Sequence, residues 1–268
     1  MAVDLRYDLR MYWLSLKTQI RAAMALRTAF IIQIASMIIN NLFLIAAWLF
    51  FFNHFGTING WGAAEFIGSQ GILMMLFGGV FILSVGIMDL PRHVDTGSLD
   101  SYLTKPTSLI GSLASSNIDV TTFGDFILGL ILVVWYCFYA QVSWLALAVF
   151  ALVVTASAIL FWCFAVLGPN IVAFYMYDSL KVRDYAGRLL VDSSLFPVGI
   201  LTGKLRTFLI LVFPLGMMAA VPLDVLRGVN LLWAFAGCVA SVFWLWFFLW
   251  LFKRSVKKYE SSNLVGAR

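Results

Sequence analysis

The sequence predicts an all-α integral membrane protein with six transmembrane helices, because apolar residues dominate it and charges are scarce. Of its 268 residues, 62% are hydrophobic and only 12% are charged, whereas soluble domains carry about 25% charged residues. The mean hydropathy of +0.95 points the same way. A water-soluble chain of this length would need far more polar surface, so the composition excludes an ordinary soluble domain.

Six apolar runs set the predicted topology. A helix needs about 20 apolar residues to cross the hydrocarbon core of a bilayer. The runs cover residues 29–52, 66–88, 123–141, 145–167, 207–222 and 231–252. They predict a single transmembrane domain over residues 29–252, with residues 1–28 before it and a basic cytoplasmic tail, residues 253–268, after it.

Basic residues predict the orientation, because cytoplasmic loops hold the excess of Lys and Arg. With both termini inside, residues 1–28, 89–122, 168–206 and 253–268 are cytoplasmic. These segments carry five, two, five and five basic residues, which is 17 of the 18; Arg227 is the remaining one. The predicted location is therefore the cell (inner) membrane, with both termini in the cytoplasm. The net charge of +5 indicates contact with anionic lipid rather than nucleic acid, and Arg206 and the tail are predicted to make such contacts.

Residues 1–28 have the pattern of a helix that lies in the membrane interface. At helical spacing one face is apolar, and its members are Leu5, Leu9, Tyr12, Trp13, Leu16, Ile20 and Met24. Cations border that face, namely Arg6, Arg10, Lys17 and Arg21. An apolar stripe flanked by cations, with Trp and Tyr at headgroup level, is typical of interfacial helices. The alternative is a cytosolic helix packed on a soluble domain, but the sequence predicts no such domain.

The chain lacks the residue patterns of an enzyme or a metal protein. Its three cysteines all lie in apolar runs, and no CxxC or Cys/His cluster predicts a disulfide or a zinc site. His54 and His93 are predicted on opposite sides of the membrane. No nucleophile with its base and no nucleotide-binding loop is recognisable. We therefore expect no catalytic residues, no metal and no cofactor on this chain.

Uncharged polar residues occupy the predicted spans. Ion-driven carriers usually bury charges in the bilayer, whereas here the acidic residues avoid the middles of the spans, and Asp125 stands at the start of the third. The candidates for a translocation path are Gln33, Asn40, Asn41 and Gln70. The other interpretation is hydrogen bonding between helices, which contributes about 0.6 to 2 kcal/mol per bond. The sequence leaves both open.

A polar stretch after the second run, HVDTGSLDSYLTKP, predicts a short helix on the cytoplasmic side within residues 93–113. Asp95, Thr96 and Ser98 are candidate N-caps. Leu99, Tyr102 and Leu103 share one face at helical spacing, and Pro106 disfavours helix at the residue before it. That face could fill a groove on another protein or pack on its own chain.

Two stretches resemble a family of ABC-2-type permeases. That family shows G-x-L-D-x-x-L-x-[RK]-P after its second span, and the matching residues here are Gly97, Leu99, Asp100, Leu103, Lys105 and Pro106. The second stretch, Leu195 to Gly228, has the family's Phe-Pro, an Arg, and two further prolines. The corresponding residues are Phe196, Pro197, Arg206, Pro214 and Pro222. The order of elements also agrees along nearly the whole chain.

The resemblance implies the membrane subunit of an ATP-binding cassette exporter with a type V exporter-like fold. It implies two permease subunits, identical or different, around a path, with ABC ATPase subunits below that hold ATP and Mg. The region from Gly97 to Leu103 would be the coupling helix. Pro214 would kink the fifth run and Pro222 would end it, with an outer gate hairpin near residues 222–230.

The uncharged, aromatic-rich spans favour an amphipathic or hydrophobic substrate, drug-like or lipid-like. The sequence also allows two other functions. One is an ATP-independent lipid scramblase or a channel-like protein, and the other is a membrane anchor or assembly subunit.

Overall fold

The structure is a computed structural model and describes residues 5–176, 179–194, 201, 203–212, 215–228 and 231–259. Regular structure in these residues is helical, apart from one isolated bridge between Ile58 and Trp61. The α-helices of the first half are α1 Leu5–Ala25, α2 Arg27–Phe55, α3 Ala63–Ser84, α4 Leu90–Asp95, α5 Asp100–Leu103, α6 Leu109–Ala114 and α7 Thr121–Tyr139. Those of the second half are α8 Trp144–Phe161, α9 Gly168–Ile171, α10 Ser179–Ser194, α11 Gly203–Leu211, α12 Leu215–Met218, α13 Ala220–Leu226 and α14 Leu231–Val256.

Five helical stretches are long and apolar enough to cross a membrane. They are Arg27–Phe55, Ala63–Asp95, Thr121–Tyr139, Trp144–Phe174 and Leu231–Val256. Two of them are composite. In Ala63–Asp95, a 3-10 turn joins α3 to α4. In Trp144–Phe174, a π-helical segment joins α8 to α9, and a 3-10 turn follows α9. The expectation of an all-α, multi-pass membrane protein is confirmed. A sixth crossing stays a prediction.

The fifth predicted run, residues 207–222, is not one continuous helix in the described part of the chain. It falls on α11, α12 and α13, each of which is much shorter than the roughly 20 residues that a span needs. The backbone leaves helical geometry at Ala219, with φ −141°. Pro214 lies outside the described residues, as do Phe196 and Pro197, so the kink predicted at Pro214 stays a prediction.

The prediction that Pro222 ends a helix is wrong. Pro222 lies in the first turn of α13, which continues to Leu226. A proline there forfeits no intrahelical hydrogen bond, because the first amides of a helix have no acceptor within it. Pro222 therefore belongs to the start of a helix, and the chain turns only after it, at Arg227 and Gly228.

Glycines bring α3 and α7 into direct backbone contact at the centre of the bundle. A Cβ at Gly129 would lie 2.3 Å from the Met75 amide nitrogen, and one at Gly78 would lie 2.5 Å from the Phe126 amide nitrogen. Small residues at such crossings let membrane helices approach closely. α3 is therefore enclosed by its neighbours and supplies a large share of the buried core.

Two hydrogen bonds define the two ends of the bundle. Near the start of α3, the Arg227 guanidinium donates to the Gly60 carbonyl oxygen over 3.0 Å. Near the far end of the same composite helix, the Arg183 guanidinium donates to the Met88 carbonyl oxygen over 2.5 Å. We refer to these as the Gly60 end and the Met88 end. The α3 helix alone, 22 residues long, separates them by about 33 Å.

Candidate functional site

A cleft of about 270 Å³ lies between α2, α3 and α7. All three helices contribute buried polar side chains to it, namely Asn41 from α2, Gln70 from α3, and Thr122 and Asp125 from α7. Much of the remaining wall is apolar and includes Leu73 and Phe77. The cleft also reaches the start of α7, so it extends into the half of the bundle nearest the Met88 end.

Asn41 and Asp125 form a hydrogen-bonded pair between α2 and α7. Asn41 Nδ2 donates to Asp125 Oδ1 over 2.5 Å, and the two side chains are 7% and 8% exposed. The neighbouring Gly124 explains the approach, since a Cβ there would lie 2.8 Å from the Ile34 carbonyl oxygen. Because α7 has no side chain at that position, its backbone packs against α2 and carries the carboxylate to the amide.

Gln70 brings an unpaired donor to the same cleft. The residue is 2% exposed, and its Nε2 has no hydrogen-bond partner in the described residues. The adjacent Gly71 holds α7 close, since a Cβ there would lie 2.7 Å from Leu132 Cβ. Buried polar groups are nearly always hydrogen-bonded, so an unpaired amide that lines a cleft is suited to bind a guest molecule or water.

The four predicted path residues separate into two pairs. Asn41 and Gln70 line the cleft, whereas Gln33 and Asn40 lie exposed on α2 and do not line it. Asn40 precedes Asn41 by one position, and one position turns a helix by about 100°, so the two side chains point in different directions. A transport role for any of the four stays a prediction.

Asp125 is a candidate that the sequence interpretation missed. The sequence interpretation placed it at the start of the third span, outside the middle of the membrane, and assigned it no partner. In the structure it is buried and faces Asn41, a residue 84 positions away. The available signal was the glycine beside Asp125 in an apolar run, since small residues let membrane helices approach closely.

The predicted coupling segment forms a helix–turn–helix rather than a single two-turn helix. α4 ends at Asp95, the turn passes through Gly97 with φ +71°, and α5 spans only Asp100–Leu103. The N-cap prediction for Asp95, Thr96 and Ser98 is wrong, because Leu99 occupies the N-cap position and makes no side-chain cap. Instead, Thr96 Oγ1 donates to the Arg92 carbonyl oxygen and closes the end of α4.

Leu99 does not belong to an exposed apolar face. It is 0% exposed and packs in the main core cluster with Leu90 and Leu113. Of the two alternatives that the sequence left open, packing on its own chain is therefore the one that holds for Leu99. Tyr102 is half-buried, with the Lys105 ammonium 4.2 Å from its ring centroid, and Leu103 is 44% exposed.

The residues around Leu103 differ in exposure, and those that follow it are open to a partner. Gly97 is buried in the turn and Asp100 is half-buried, while Lys105 and Pro106 are exposed. The exposed part of the segment is thus Leu103 with Lys105 and Pro106, next to one side of Tyr102. Docking by these residues stays a prediction.

The N-terminal helix α1 packs on the chain through a polar face that the sequence did not reveal. Asp8 accepts from the Ser108 amide over 3.0 Å, Ser15 donates to the Ser115 carbonyl oxygen over 2.8 Å, and Gln19 donates to the Ser116 carbonyl oxygen over 2.9 Å. Burial raises the pKa of Tyr12 to about 12, so the phenol stays protonated and donates to the Leu83 carbonyl oxygen over 2.5 Å.

The other faces of α1 agree with the interfacial pattern. Leu9, Trp13 and Met24 are 58%, 53% and 51% exposed. The exposed cations are Arg6, Arg10, Lys17 and Arg21. Leu16 is the exception, since it is 2% exposed and buried against the bundle. α1 therefore has three faces, one for its own chain, one apolar and exposed, and one cationic; lipid contact by the exposed faces stays a prediction.

Arg206 forms a buried ion pair with Asp224, whose side chain is 6% exposed. The prediction that Arg206 contacts lipid is therefore wrong, because an acid 18 residues away engages its guanidinium. Asp224 is close in sequence to Arg227, which binds the loop at the Gly60 end.

The same contacts correct the predicted position of residues 168–206. Arg183 lies at the Met88 end and Arg206 lies at the Gly60 end. Arg183 and Arg206 therefore lie near opposite ends of the bundle. The prediction that all of residues 168–206 lie on one side is wrong, because hydropathy alone assigned the crossing to the later, more apolar run.

Helices α12 and α13 form a buried unit near the Gly60 end. Every residue from Leu215 to Leu226 is buried. Ser157 on α8 donates to the Met217 carbonyl oxygen over 2.5 Å. This hydrogen bond gives one backbone carbonyl of the short helix α12 a partner. The outer hairpin expected near residues 222–230 and a gating role for Pro222 stay predictions.

Together, five helices that are long and apolar enough to cross a membrane, three of which line a partly polar cleft, define a multi-pass helical membrane protein. A family model described as ABC-2 family transporter protein matches residues 24–263, which is most of the chain. The chain therefore belongs to the ABC-2 family of transporter proteins, as the motif between Gly97 and Pro106 indicated. Comparisons with curated proteins and with solved structures give no match.

Proposed function

We propose that the chain is the permease subunit of an ATP-binding cassette exporter. The family match over residues 24–263 carries this proposal, and the segment at the Met88 end supports it. The permease moves an amphipathic or hydrophobic molecule out of the cytoplasm or the inner leaflet. Two permease subunits enclose the path, and separate cytoplasmic ATPase subunits bind and hydrolyse ATP with Mg. The complex resides in the cell membrane, with both termini of the chain in the cytoplasm.

The segment from Gly97 to Pro106 has a shape suited to transmitting force. Its base is fixed, because Leu99 is wholly buried in the core. Its tip is accessible, because Leu103 is 44% exposed. The helical stretch that precedes it runs from Ala63 to Asp95, with a 3-10 turn at Val85–Asp89 joining α3 to α4. An ATPase subunit that presses on Leu103 would therefore move Leu99 and, through α4, the central helix α3.

The segment also leads to the cleft. α3 carries Gln70, and its glycines pack against α7, which carries Asp125. A displacement of α3 relative to α7 changes the distance between these two side chains. Contacts at the cytoplasmic end would thus alter the cleft.

A double substitution tests the docking role. Tyr102→Ala with Leu103→Ala should lower recovery of the ATPase subunit in pull-downs and abolish stimulation of its ATP hydrolysis. Loss of two interface side chains costs on the order of 2 kcal/mol or more, which weakens binding roughly thirtyfold. The measurements are quantitative co-purification and ATPase activity of the purified complex.

Tyr175 and Met176 provide a matched control at the same end of the bundle. They are also an adjacent aromatic and aliphatic pair, 47% and 54% exposed, and Lys258 lies 4.5 Å from the Tyr175 ring centroid. Alanine at both positions should leave ATPase recovery unchanged. Equal recovery with the Tyr102/Leu103 variant and the wild type would refute docking at this segment.

A further inference from the structure

We propose that the cleft between α2, α3 and α7 binds the positively charged head of an amphipathic amine. The inference names the substrate class of the permease and so rests on the proposed function. Three side chains from three helices converge there, and each is more than nine-tenths buried. They are Asn41, Gln70 and Asp125.

The charge of the cleft favours a cation. Asp125 and Asp119 both line it, and its lining contains no Lys, Arg or His. Asp125 has the Asn41 amide as a hydrogen-bond donor but makes no ion pair within the part of the chain that the structure describes. A carboxylate held away from water is costly unless a cation accompanies it. An ammonium group in the cleft would supply that cation, whereas an anionic head would meet two carboxylates.

The unpaired Gln70 amide adds a second requirement. Its Nε2 is a donor without an acceptor, so a bound amine cannot satisfy it. An oxygen acceptor near the amine, such as a hydroxyl or a carbonyl, would do so. The cleft therefore favours an amine with a neighbouring oxygen over a simple alkylamine.

The apolar walls indicate where the rest of the molecule lies. Leu73, Met74, Phe77 and Phe81 follow one another along α3 and line the cleft. They can cover a hydrocarbon tail or an aromatic body, and the two phenyl rings also attract a nearby cation. A small hydrophilic cation would leave these walls without contact. The ligand is thus an amphiphile.

Three dodecyl probes test the inference on the full chain in phosphatidylcholine nanodiscs, without an ATPase. They are dodecylamine, dodecanol and 1-aminododecan-2-ol, with empty nanodiscs subtracted to remove partition into lipid. Dodecylamine should bind at least tenfold more tightly than dodecanol, and the amino alcohol should bind more tightly still. No preference for the amine over dodecanol would overturn the proposal, and this arm needs no variant.

Variants assign the preference to particular side chains. Asp125→Asn should weaken dodecylamine binding about tenfold and leave dodecanol unchanged. Gln70→Leu should abolish only the advantage of the amino alcohol. Asp89→Asn is the matched control, because Asp89 also accepts from an asparagine, Asn117, over 3.2 Å, but does not line the cleft. An equal loss in the Asp89 and Asp125 variants would overturn the site.

A lipid arm separates two sources of the amine. Phosphatidylethanolamine added to the nanodiscs should compete with dodecylamine if the amine belongs to a membrane lipid, and should not compete if the site takes free amines. Either result is consistent with an amine site. Since no arm uses ATP, a failure of these tests is distinct from a failure to find a coupled ATPase.

Discussion

Gly78→Ala should destabilise the helix bundle far more than Gly79→Ala. A methyl group at Gly78 would lie 2.5 Å from the Phe126 amide nitrogen and 2.6 Å from the Thr122 carbonyl oxygen, so backbone must move. Such overpacking costs about 1–3 kcal/mol. At Gly79 the nearest atom is a ring carbon of Phe126 at 3.5 Å, an ordinary contact.

The two substitutions form a matched pair on one helix. Both replace glycine by alanine and gain the same helix propensity, about 1 kcal/mol, so the difference between them reports the α3–α7 contact alone. Unfolding of detergent-purified protein, followed by SDS titration, measures it. Similar unfolding midpoints for the two variants would show that α3 and α7 do not pack through Gly78.

Arg206→Met should destabilise the protein by about 3 kcal/mol, because it leaves Asp224 buried without its cation. Removal of one partner from a buried ion pair costs about 3–5 kcal/mol, and we take the lower figure since Arg206 is 21% exposed. Adding Asp224→Leu to the Arg206→Met chain should recover much of the lost stability, because no unpaired charge is then buried. Thermal unfolding of both variants in detergent checks this.

Arg227→Met is the control for that experiment. Arg227 also makes a long-range contact near the Gly60 end, but its partner is the neutral Gly60 carbonyl oxygen. A hydrogen bond from a charged group contributes about 1.5–3 kcal/mol, and we take the lower figure because this one is exposed. Losses of equal size from Arg206→Met and Arg227→Met would contradict a special role for the buried pair.

Local patterns of the sequence predicted the elements that depend on local spacing. The apolar runs identified the five long helices, since a span is defined by its own composition. The α1 pattern identified a helix with exposed Leu9 and Trp13, because those faces depend only on helical periodicity. The ABC-2 family followed from motif residues between Gly97 and Pro106, which are contiguous in sequence.

The features that the sequence did not reveal all depend on distant partners. Leu99 fits an exposed helical face by spacing, yet Leu113 and other core residues bury it. Arg206 is an ordinary flanking cation until Asp224 folds against it. Asp125 marks a helix end until α7 packs on α2 and places it beside Asn41. No periodicity encodes such pairings, since each joins elements far apart along the chain.

The placement of Arg183 and Arg206 at opposite ends of the bundle is another feature that local patterns did not predict. Hydropathy favoured a span over residues 207–222, whereas Arg206, just before that run, already lies near the Gly60 end of the bundle. The later, more apolar residues are instead buried as the short helices α12 and α13.

Purification of the affinity-tagged chain from its native membranes in mild detergent tests the central claim most directly. The account predicts that a nucleotide-binding ATPase subunit elutes with the chain in stoichiometric amount. It also predicts that the eluate hydrolyses ATP in a Mg-dependent and vanadate-sensitive manner, and that this activity falls with the Tyr102/Leu103 variant. An intact, membrane-derived chain that elutes without an ATPase subunit and without such hydrolysis would contradict the account.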